Sequence, residues 1–239
     1  MNDTWTMIWK ETKDTVLSGG RGAWIRPLVF IFLLGFLVPW QLGHNWLTLS
    51  STPIPTLISC YIPFFFITGY IGDAVAGERE RHTLETLLAS RISDLAILWG
   101  KLIVTVGYAF GMTIAGLLVG LVVANLPQGQ GSWTFYHPLG LLLETLGLSL
   151  LVSLTAASGG ALISLRAATA RQAQQTMSVG VLVLFVALVF ALKAIPVGVL
   201  QSLNASQFLL VLMGGFLVID LILLSILVGN FRRARLILS

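Results

Sequence analysis

Residues 73–101 hold the side chains best suited to polar chemistry, in a chain that is otherwise strongly apolar. This stretch contains five of the chain's ten acidic residues and four basic ones. They are Asp73, Glu78, Glu80, Glu85 and Asp94, with Arg79, Arg81, Arg91 and Lys101. So many charges between apolar flanks must lie in water at a membrane surface, because charged side chains inside a bilayer are costly.

Other residue types that carry chemistry are scattered along the chain. His44, His82 and His137 fall in loops predicted on opposite sides of a membrane, which argues against a shared metal site. The sequence shows no Ser–His–Asp or nucleophile-elbow arrangement. It also lacks the Gly-x-x-x-x-Gly-Lys-Ser/Thr loop that binds nucleotide phosphates. We therefore predict no catalytic residues, and no metal or cofactor bound by this chain.

The composition predicts an integral membrane protein. Of the 239 residues, 56% are hydrophobic and only 10% are charged, whereas a soluble domain carries about 25% charged residues. A helix needs about 20 apolar residues to cross a bilayer, and the apolar runs predict six spans. We place these spans at residues 24–41, 53–73, 96–124, 138–165, 174–192 and 208–228. The fold class we expect is all-α, with a single transmembrane domain.

Residues 1–20 form a separate element, which we interpret as a helix lying in the membrane interface. Trp5, Ile8 and Trp9 fall near one face of this helix, and charged residues form the other face. Two tryptophans at this spacing suit the headgroup layer. The alternative is a frayed polar terminus.

The distribution of basic residues sets the orientation. Six spans put both termini, the stretch 73–101 and the loop 166–171 on one side, with thirteen of the fourteen Lys and Arg residues. These are Lys10, Lys13, Arg21, Arg26, Arg79, Arg81, Arg91, Lys101, Arg166, Arg171, Arg232, Arg233 and Arg235. Only Lys193 falls on the other side. The positive-inside bias makes the first side cytoplasmic, so the basic charge suits anionic lipid and not nucleic acid.

Residues 77–95 predict a short amphipathic helix on the cytoplasmic surface. Its apolar positions recur at three- and four-residue steps, at Leu84, Leu87, Leu88, Ile92 and Leu95. Ser93 is well placed to cap the third span, with Asp94 in the first turn. A helix of this kind can dock into a groove of a soluble partner; the alternative is a solvated connecting loop.

One motif in this stretch resembles the signature of ABC-2 type transporter permeases. The matching residues are Gly77-Glu78-Arg79-Glu80-Arg81-His82-Thr83-Leu84-Glu85, then Leu87-Leu88, Ser93 and Gly100-Lys101. The family usually has Gly where His82 stands and Pro where Arg91 stands. The layout is similar too: an interfacial helix, six spans and a cytoplasmic loop between spans two and three. This is the architecture of type V ABC exporters.

The resemblance implies a transport subunit that does not hydrolyse ATP itself. Such permeases pair as homodimers or heterodimers in a bacterial or archaeal cytoplasmic membrane, and each binds a cytoplasmic ABC ATPase subunit that holds ATP and Mg²⁺. Family members mostly export drugs, peptides, lipids or ions. The loop after span two is similar to the coupling helix that contacts the ATPase. The partner-contact residues implied here are Glu78, Arg79, Glu80, Arg81, His82, Thr83, Leu84, Glu85, Leu87, Leu88 and Arg91.

Two carboxylates fall inside predicted spans and leave other functions open. Glu144 is near the outer end of span four, and Asp220 is near the middle of span six. Ionisable groups at these depths indicate function or a packed structural pair, so we consider both residues for the translocation path or a dimer contact. They would also suit an ion- or proton-coupled secondary transporter. An intramembrane enzyme is a weaker alternative, because the two carboxylates lie at different depths.

Overall fold

The computed structural model describes residues 2–17, 25–50, 54–83, 91–126, 133–194 and 204–231. Seven helical segments make up almost all of this part, and none of it forms a β-strand. We number them α1 (Asn2–Leu17), α2 (Ile25–Phe30, Ile31–Leu37 and Val38–Leu42), α3 (Ile54–Glu80), α4 (Asp94–Asn125), α5 (Leu139–Arg166), α6 (Ala170–Ala194) and α7 (Ala205–Asn230). The all-α prediction is confirmed.

Among the described residues, five segments are long and apolar enough to cross a membrane. They are Pro27–Trp46, Ile54–Glu80, Asp94–Asn125, Leu139–Arg166 and Ala205–Asn230. These segments correspond to predicted spans one, two, three, four and six. The fifth predicted span, residues 174–192, falls within α6, a helix of 25 residues. Its crossing of the membrane stays a prediction.

Small residues set the spacing between the helices. Helix α2 includes a π-helical stretch, Ile31–Leu37, in which Gly35 faces α4. A Cβ added at Gly35 would lie 3.1 Å from the carbonyl oxygen of Gly116. One turn further along α4, a Cβ at Gly120 would lie 2.5 Å from Nε1 of Trp46. The pattern Gly116-x-x-x-Gly120 therefore packs closely against another helix, as small-residue patterns do in membranes.

Helix α5 is at the centre of the bundle, with α3 and α7 as its main neighbours. Its face toward α3 carries small and hydroxyl residues, so the two backbones approach closely. Near the N-terminal ends of both helices, the hydroxyls of Thr56 and Thr145 lie 3.1 Å apart. Near their C-terminal ends, Ser164 Oγ accepts a hydrogen bond from the backbone N–H of Ala76, at 3.0 Å.

Two of the loops on the predicted outer side are joined by a buried tyrosine. Tyr136 Oη accepts a hydrogen bond from Trp46 Nε1 at 2.7 Å and donates one to the carbonyl of Leu117 at 2.8 Å. Backbone hydrogen bonds between Leu47 or Leu49 and His137 run beside it. The loops therefore hold the outer ends of α2 and α4 against each other.

Helix α1 packs against the start of α4 through a residue outside the predicted apolar face. Met7 is fully buried, and a Cβ added at Gly100 would lie 2.5 Å from Cβ of Met7. Trp5 and Trp9 remain 68% and 59% exposed. The helix thus has two apolar sides: Met7 faces the protein, and the tryptophans are free to meet the headgroup layer.

Candidate functional site: the turn at the end of helix α3

The signature residues begin inside a membrane helix and not on a separate surface helix. Helix α3 continues through Glu78, Arg79 and Glu80, and the next residues form a turn. The backbone N–H of Thr83 bonds to the carbonyl of Glu78 at 2.9 Å, and that of His82 to the carbonyl of Arg79 at 3.1 Å. These two bonds form a Schellman motif, which ends the helix. The prediction of one surface helix over 77–95 was therefore wrong for its first residues.

The same turn favours glycine at position 82. His82 has a φ of +55°, in the left-handed region that glycine adopts without steric cost. A Schellman motif requires this conformation at the first residue after the cap. The turn therefore forms here even though position 82 is a histidine and not a glycine.

Glu78 is the centre of an ion-pair cluster that joins three helices. Its Oε1 lies 3.0 Å from Lys101 Nζ and 3.3 Å from Lys10 Nζ. Lys101 also lies 2.9 Å from Glu11 Oε1. The side chain of Lys101 is only 6% exposed, so its charge depends on these two carboxylates. The cluster ties the end of α3 to α1 and to the start of α4.

Lys10 is the more exposed cation of the cluster. Burial opposes its charge, but the nearby carboxylates of Glu78, Glu11 and Asp14 outweigh that effect and raise the pKa of Lys10 above its ordinary value. Its side chain is 43% exposed, so solvent screens these interactions. Lys10 therefore supports the cluster less than Lys101 does.

Arg79 binds the end of helix α5. Its guanidinium donates one hydrogen bond to the carbonyl of Ala167 at 3.1 Å and another to that of Leu165 at 3.2 Å. The last carbonyls of a helix have no partner within the helix and carry partial negative charge. A planar guanidinium can bind two of them at once. Arg79 thus anchors α3 to the junction between α5 and α6.

Glu80 binds the start of helix α6. Its Oε2 accepts a hydrogen bond from the backbone N–H of Ala170 at 3.2 Å, where the helix dipole favours an anion. Three consecutive residues of α3 therefore bind different elements. Glu78 binds α1 and α4, Arg79 binds the end of α5, and Glu80 binds the start of α6.

The other predicted contact residues are distributed as follows. Arg81, His82 and Thr83 are exposed. The side chains of Arg81 and Thr83 donate hydrogen bonds to carbonyls at the end of α3, and the backbone N–H of His82 does the same. Arg91 is exposed at a bend before α4. The predicted cap on α4 is confirmed: Ser93 Oγ accepts from the backbone N–H of Ala96 at 3.3 Å, and Asp94 is in the first turn. Four predicted contact residues, Leu84, Glu85, Leu87 and Leu88, lie outside the described residues.

The two intramembrane carboxylates lie between α5 and α7. Glu144 accepts a hydrogen bond from Ser206 at 2.5 Å, and Asp220 accepts one from Thr155 at 2.6 Å. In each carboxylate the second oxygen is buried and has no hydrogen-bond partner among the described residues. The two pairs are eleven residues apart on α5, or about 16 Å along the helix. The carboxylates therefore do not form one site, and both contribute to packing within the chain.

The sequence did not reveal the partners of the signature residues. Lys10, Glu11 and Lys101 were read as a polar helix face and the end of a loop, yet they form the cluster around Glu78. The partners of Arg79 and Glu80 are backbone groups, which residue types cannot indicate. The one available signal was the position of Lys101 inside the predicted span 96–124, because a lysine there requires an anion.

Comparison with known proteins identifies a matching protein family. Residues 50–213 match the model of a protein family described as ABC-2 family transporter protein. The match runs from the start of α3 into α7, and it includes the end of α3 and the turn that follows Glu80. The chain matches no curated protein.

Proposed function

The chain belongs to the ABC-2 transporter family and is a multi-pass membrane permease of an ABC transporter, and we propose that it moves its substrate with energy from ATP hydrolysed by a separate subunit. The partner ATPase contacts the cytoplasmic turn after α3 and side chains of residues 84–91. This chain supplies the pathway, and the partner holds ATP and Mg²⁺. Two permeases, either identical or related, complete the transporter.

One observation carries the proposal: the signature turn makes contacts with four other helices. A partner that displaces this turn pulls on α1 and α4 through Glu78, on α5 through Arg79 and on α6 through Glu80. The buried ion pair of Glu78 with Lys101 and the part-buried hydrogen bonds of Arg79 transmit such a displacement, because the alternative is an unpaired buried group. A solvated connecting loop would not require contacts of this kind.

The contacts of Glu78, Arg79 and Glu80 determine how movement of the ATPase reaches the membrane helices. When ATP brings the two ATPase subunits together, the loops bound to them move with them. The end of α3 and the start of α4 move as one unit, and the junction between α5 and α6 follows through Arg79. The resulting tilt of these helices opens the pathway on the other side of the membrane. The net direction of transport is export.

The test is to separate ATP hydrolysis from transport in the assembled complex. The purified chain alone should show no ATPase activity, and the complex with its ATPase subunit should hydrolyse ATP. Charge reversal at Glu85, or a bulky polar residue at Leu87, should preserve ATP hydrolysis and abolish substrate movement. Normal coupling in both variants would exclude the loop as the contact surface.

A second candidate function is ion- or proton-coupled transport through Glu144 and Asp220. The unpaired oxygen of each buried carboxylate favours it, because such a group can bind a proton. Transport into vesicles driven by a pH gradient without nucleotide, and abolished by Asp220→Asn, would support this function. Unchanged transport and assembly in Asp220→Asn would assign Asp220 to packing between α5 and α7.

A further inference from the structure

A cavity lies where the cytoplasmic ends of α5, α6 and α7 meet, apart from the cluster around Glu78. Its volume is about 480 Å³, within the range of about 300–1,000 Å³ that small-molecule sites occupy. The residues around it are Leu162, Ile163, Arg166, Ala167, Gln172, Thr176 and Ile226. The proposed coupling of ATP hydrolysis uses none of these side chains.

The polar groups of this cavity are mainly hydrogen-bond donors. Arg166 has no ion-pair partner among the described residues, and the carbonyls at the end of α5 on either side of it already bind Arg79. Gln172 uses its Oε1 to accept from the backbone N–H of Ala168 at 3.0 Å. Its amide N–H groups therefore remain free to donate. A guanidinium, an amide N–H and the hydroxyl of Thr176 together favour an anionic oxygen ligand.

The rest of the cavity is apolar. Leu162, Ile163 and Ile226 belong to membrane helices, and Ile226 is 45% exposed on the surface of α7. A small hydrophilic anion gains nothing from these side chains. An acyl chain lying along them would remove apolar surface from water. The combination suits a ligand with an anionic head and a hydrocarbon tail.

The cavity also lies at the depth where such a ligand occurs. Ala167 lines it and accepts a hydrogen bond from Arg79, so it is beside the turn that the charge bias assigns to the cytoplasm. Anionic lipids are in the cytoplasmic leaflet, and basic pockets between membrane helices on that side bind their headgroups. We infer that this cavity binds an anionic phospholipid, with the phosphodiester on Arg166 and Gln172 and an acyl chain along Leu162 and Ile226.

Native mass spectrometry of the full-length protein in nonionic detergent tests this site. Phosphatidylglycerol should bind the wild-type protein more tightly than phosphatidylcholine does. Arg166→Gln should weaken phosphatidylglycerol binding about tenfold, because a charge-assisted hydrogen bond is lost. Arg171→Gln is the matched control: Arg171 is exposed near the start of α6 and does not line the cavity. It should change the affinity by less than about twofold.

A second variant tests the apolar part without changing the charge. Ile226→Trp fills the space along α7 at an exposed position and should also weaken phosphatidylglycerol binding. Glycerol 3-phosphate should not displace the lipid at equal concentration. Equal losses in Arg166→Gln and Arg171→Gln, equal binding of both lipids, or displacement by glycerol 3-phosphate would overturn the inference. So would unchanged binding in Ile226→Trp. None of these outcomes depends on ATP or on the ATPase subunit.

Discussion

Lys101 Nζ lies 3.0 Å from Glu78 Oε1, so a buried ion pair joins the end of α3 to the start of α4. Gly100, the residue before Lys101, leaves the space that Met7 of α1 occupies. The Gly-Lys and Gly-Glu parts of the signature are therefore two halves of one contact. The separation of 23 residues in sequence is closed in the structure, and α1 completes the contact from the other side.

Replacing Lys101 should destabilise the protein far more than replacing Lys10. Lys101→Met leaves Glu78 and Glu11 without their buried cation, and we expect a loss of about 3 kcal/mol. Lys10→Met removes a half-exposed partner and should cost less than about 1 kcal/mol. Denaturant-induced unfolding in detergent, followed by tryptophan fluorescence, measures the difference. Equal losses in the two variants would show that the cluster does not depend on Lys101.

Arg79→Lys should release the junction between α5 and α6, because an ammonium group cannot bind both carbonyls in the plane of a guanidinium. Amide hydrogen exchange at residues 167–173 should rise in this variant. The matched control is Arg91→Lys, since Arg91 is exposed at the bend before α4. It should leave exchange at 167–173 unchanged, and a similar rise in both variants would contradict the anchoring role of Arg79.

His82→Gly should stabilise the turn after α3. Position 82 has a left-handed conformation, which costs a residue with a Cβ about 1 kcal/mol. Glycine removes this cost but also gains freedom in the unfolded chain, so we expect a net gain of about 0.5 kcal/mol. Thermal unfolding measures it, and Thr83→Gly is the control that should not stabilise. A lower melting temperature in His82→Gly would mean that the imidazole makes a contact that outweighs the backbone cost.

Tyr136→Phe should destabilise the outer loops by about 2 kcal/mol, since it leaves the buried N–H of Trp46 unpaired. Burial raises the pKa of Tyr136, and the hydrogen bond from Trp46 lowers it only in part. The folded chain therefore keeps Tyr136 protonated where the unfolded chain ionises. The contribution of buried Tyr136 to the free energy of unfolding is therefore fully present below pH ~10, and it is lost as the pH rises further.

Measurements of thermal unfolding between pH 7 and pH 11 test this dependence. The stability difference between wild type and Tyr136→Phe should shrink above pH ~10. Tyr61→Phe is the control, because Tyr61 is 53% exposed on α3 and should behave like wild type. A difference that stays constant to pH 11 would contradict the buried, protonated state of Tyr136.

Local patterns in the sequence predicted the parts of the fold that depend on neighbouring residues. Apolar runs of spanning length located the membrane helices, and Ser93 at the edge of a run located the cap of α4. The sequence also placed Glu144 and Asp220 within spans. These features follow from helical periodicity, capping and the cost of burying charge, all of which act over one or two turns.

The contacts of the site could not be predicted in this way, because they join distant parts of the chain. Met7 lies in the predicted interfacial helix but outside its predicted apolar face, and only the contact with Gly100 shows why it is buried. The end of α3 was misplaced because Glu78, Arg79 and Glu80 carry charge, which suggested a loop. These residue types are also good helix formers, and the helix continues through them. The structure shows that each of the three charges has a partner on another helix.

Site-specific crosslinking determines whether a cytoplasmic ATPase binds the surface beside the turn after α3. Cys60 is the only cysteine, so Cys60→Ser provides a background in which Arg91→Cys reports on the loop before α4. Trp133→Cys is the matched control, because Trp133 is 58% exposed and falls on the predicted opposite side of the membrane. Crosslinking is done in native membranes, and mass spectrometry identifies the attached protein. We predict an adduct at Arg91→Cys with a protein that carries a Gly-x-x-x-x-Gly-Lys-Ser/Thr loop, and none at Trp133→Cys. An adduct with such a protein at Trp133→Cys, or none at Arg91→Cys, would contradict the account.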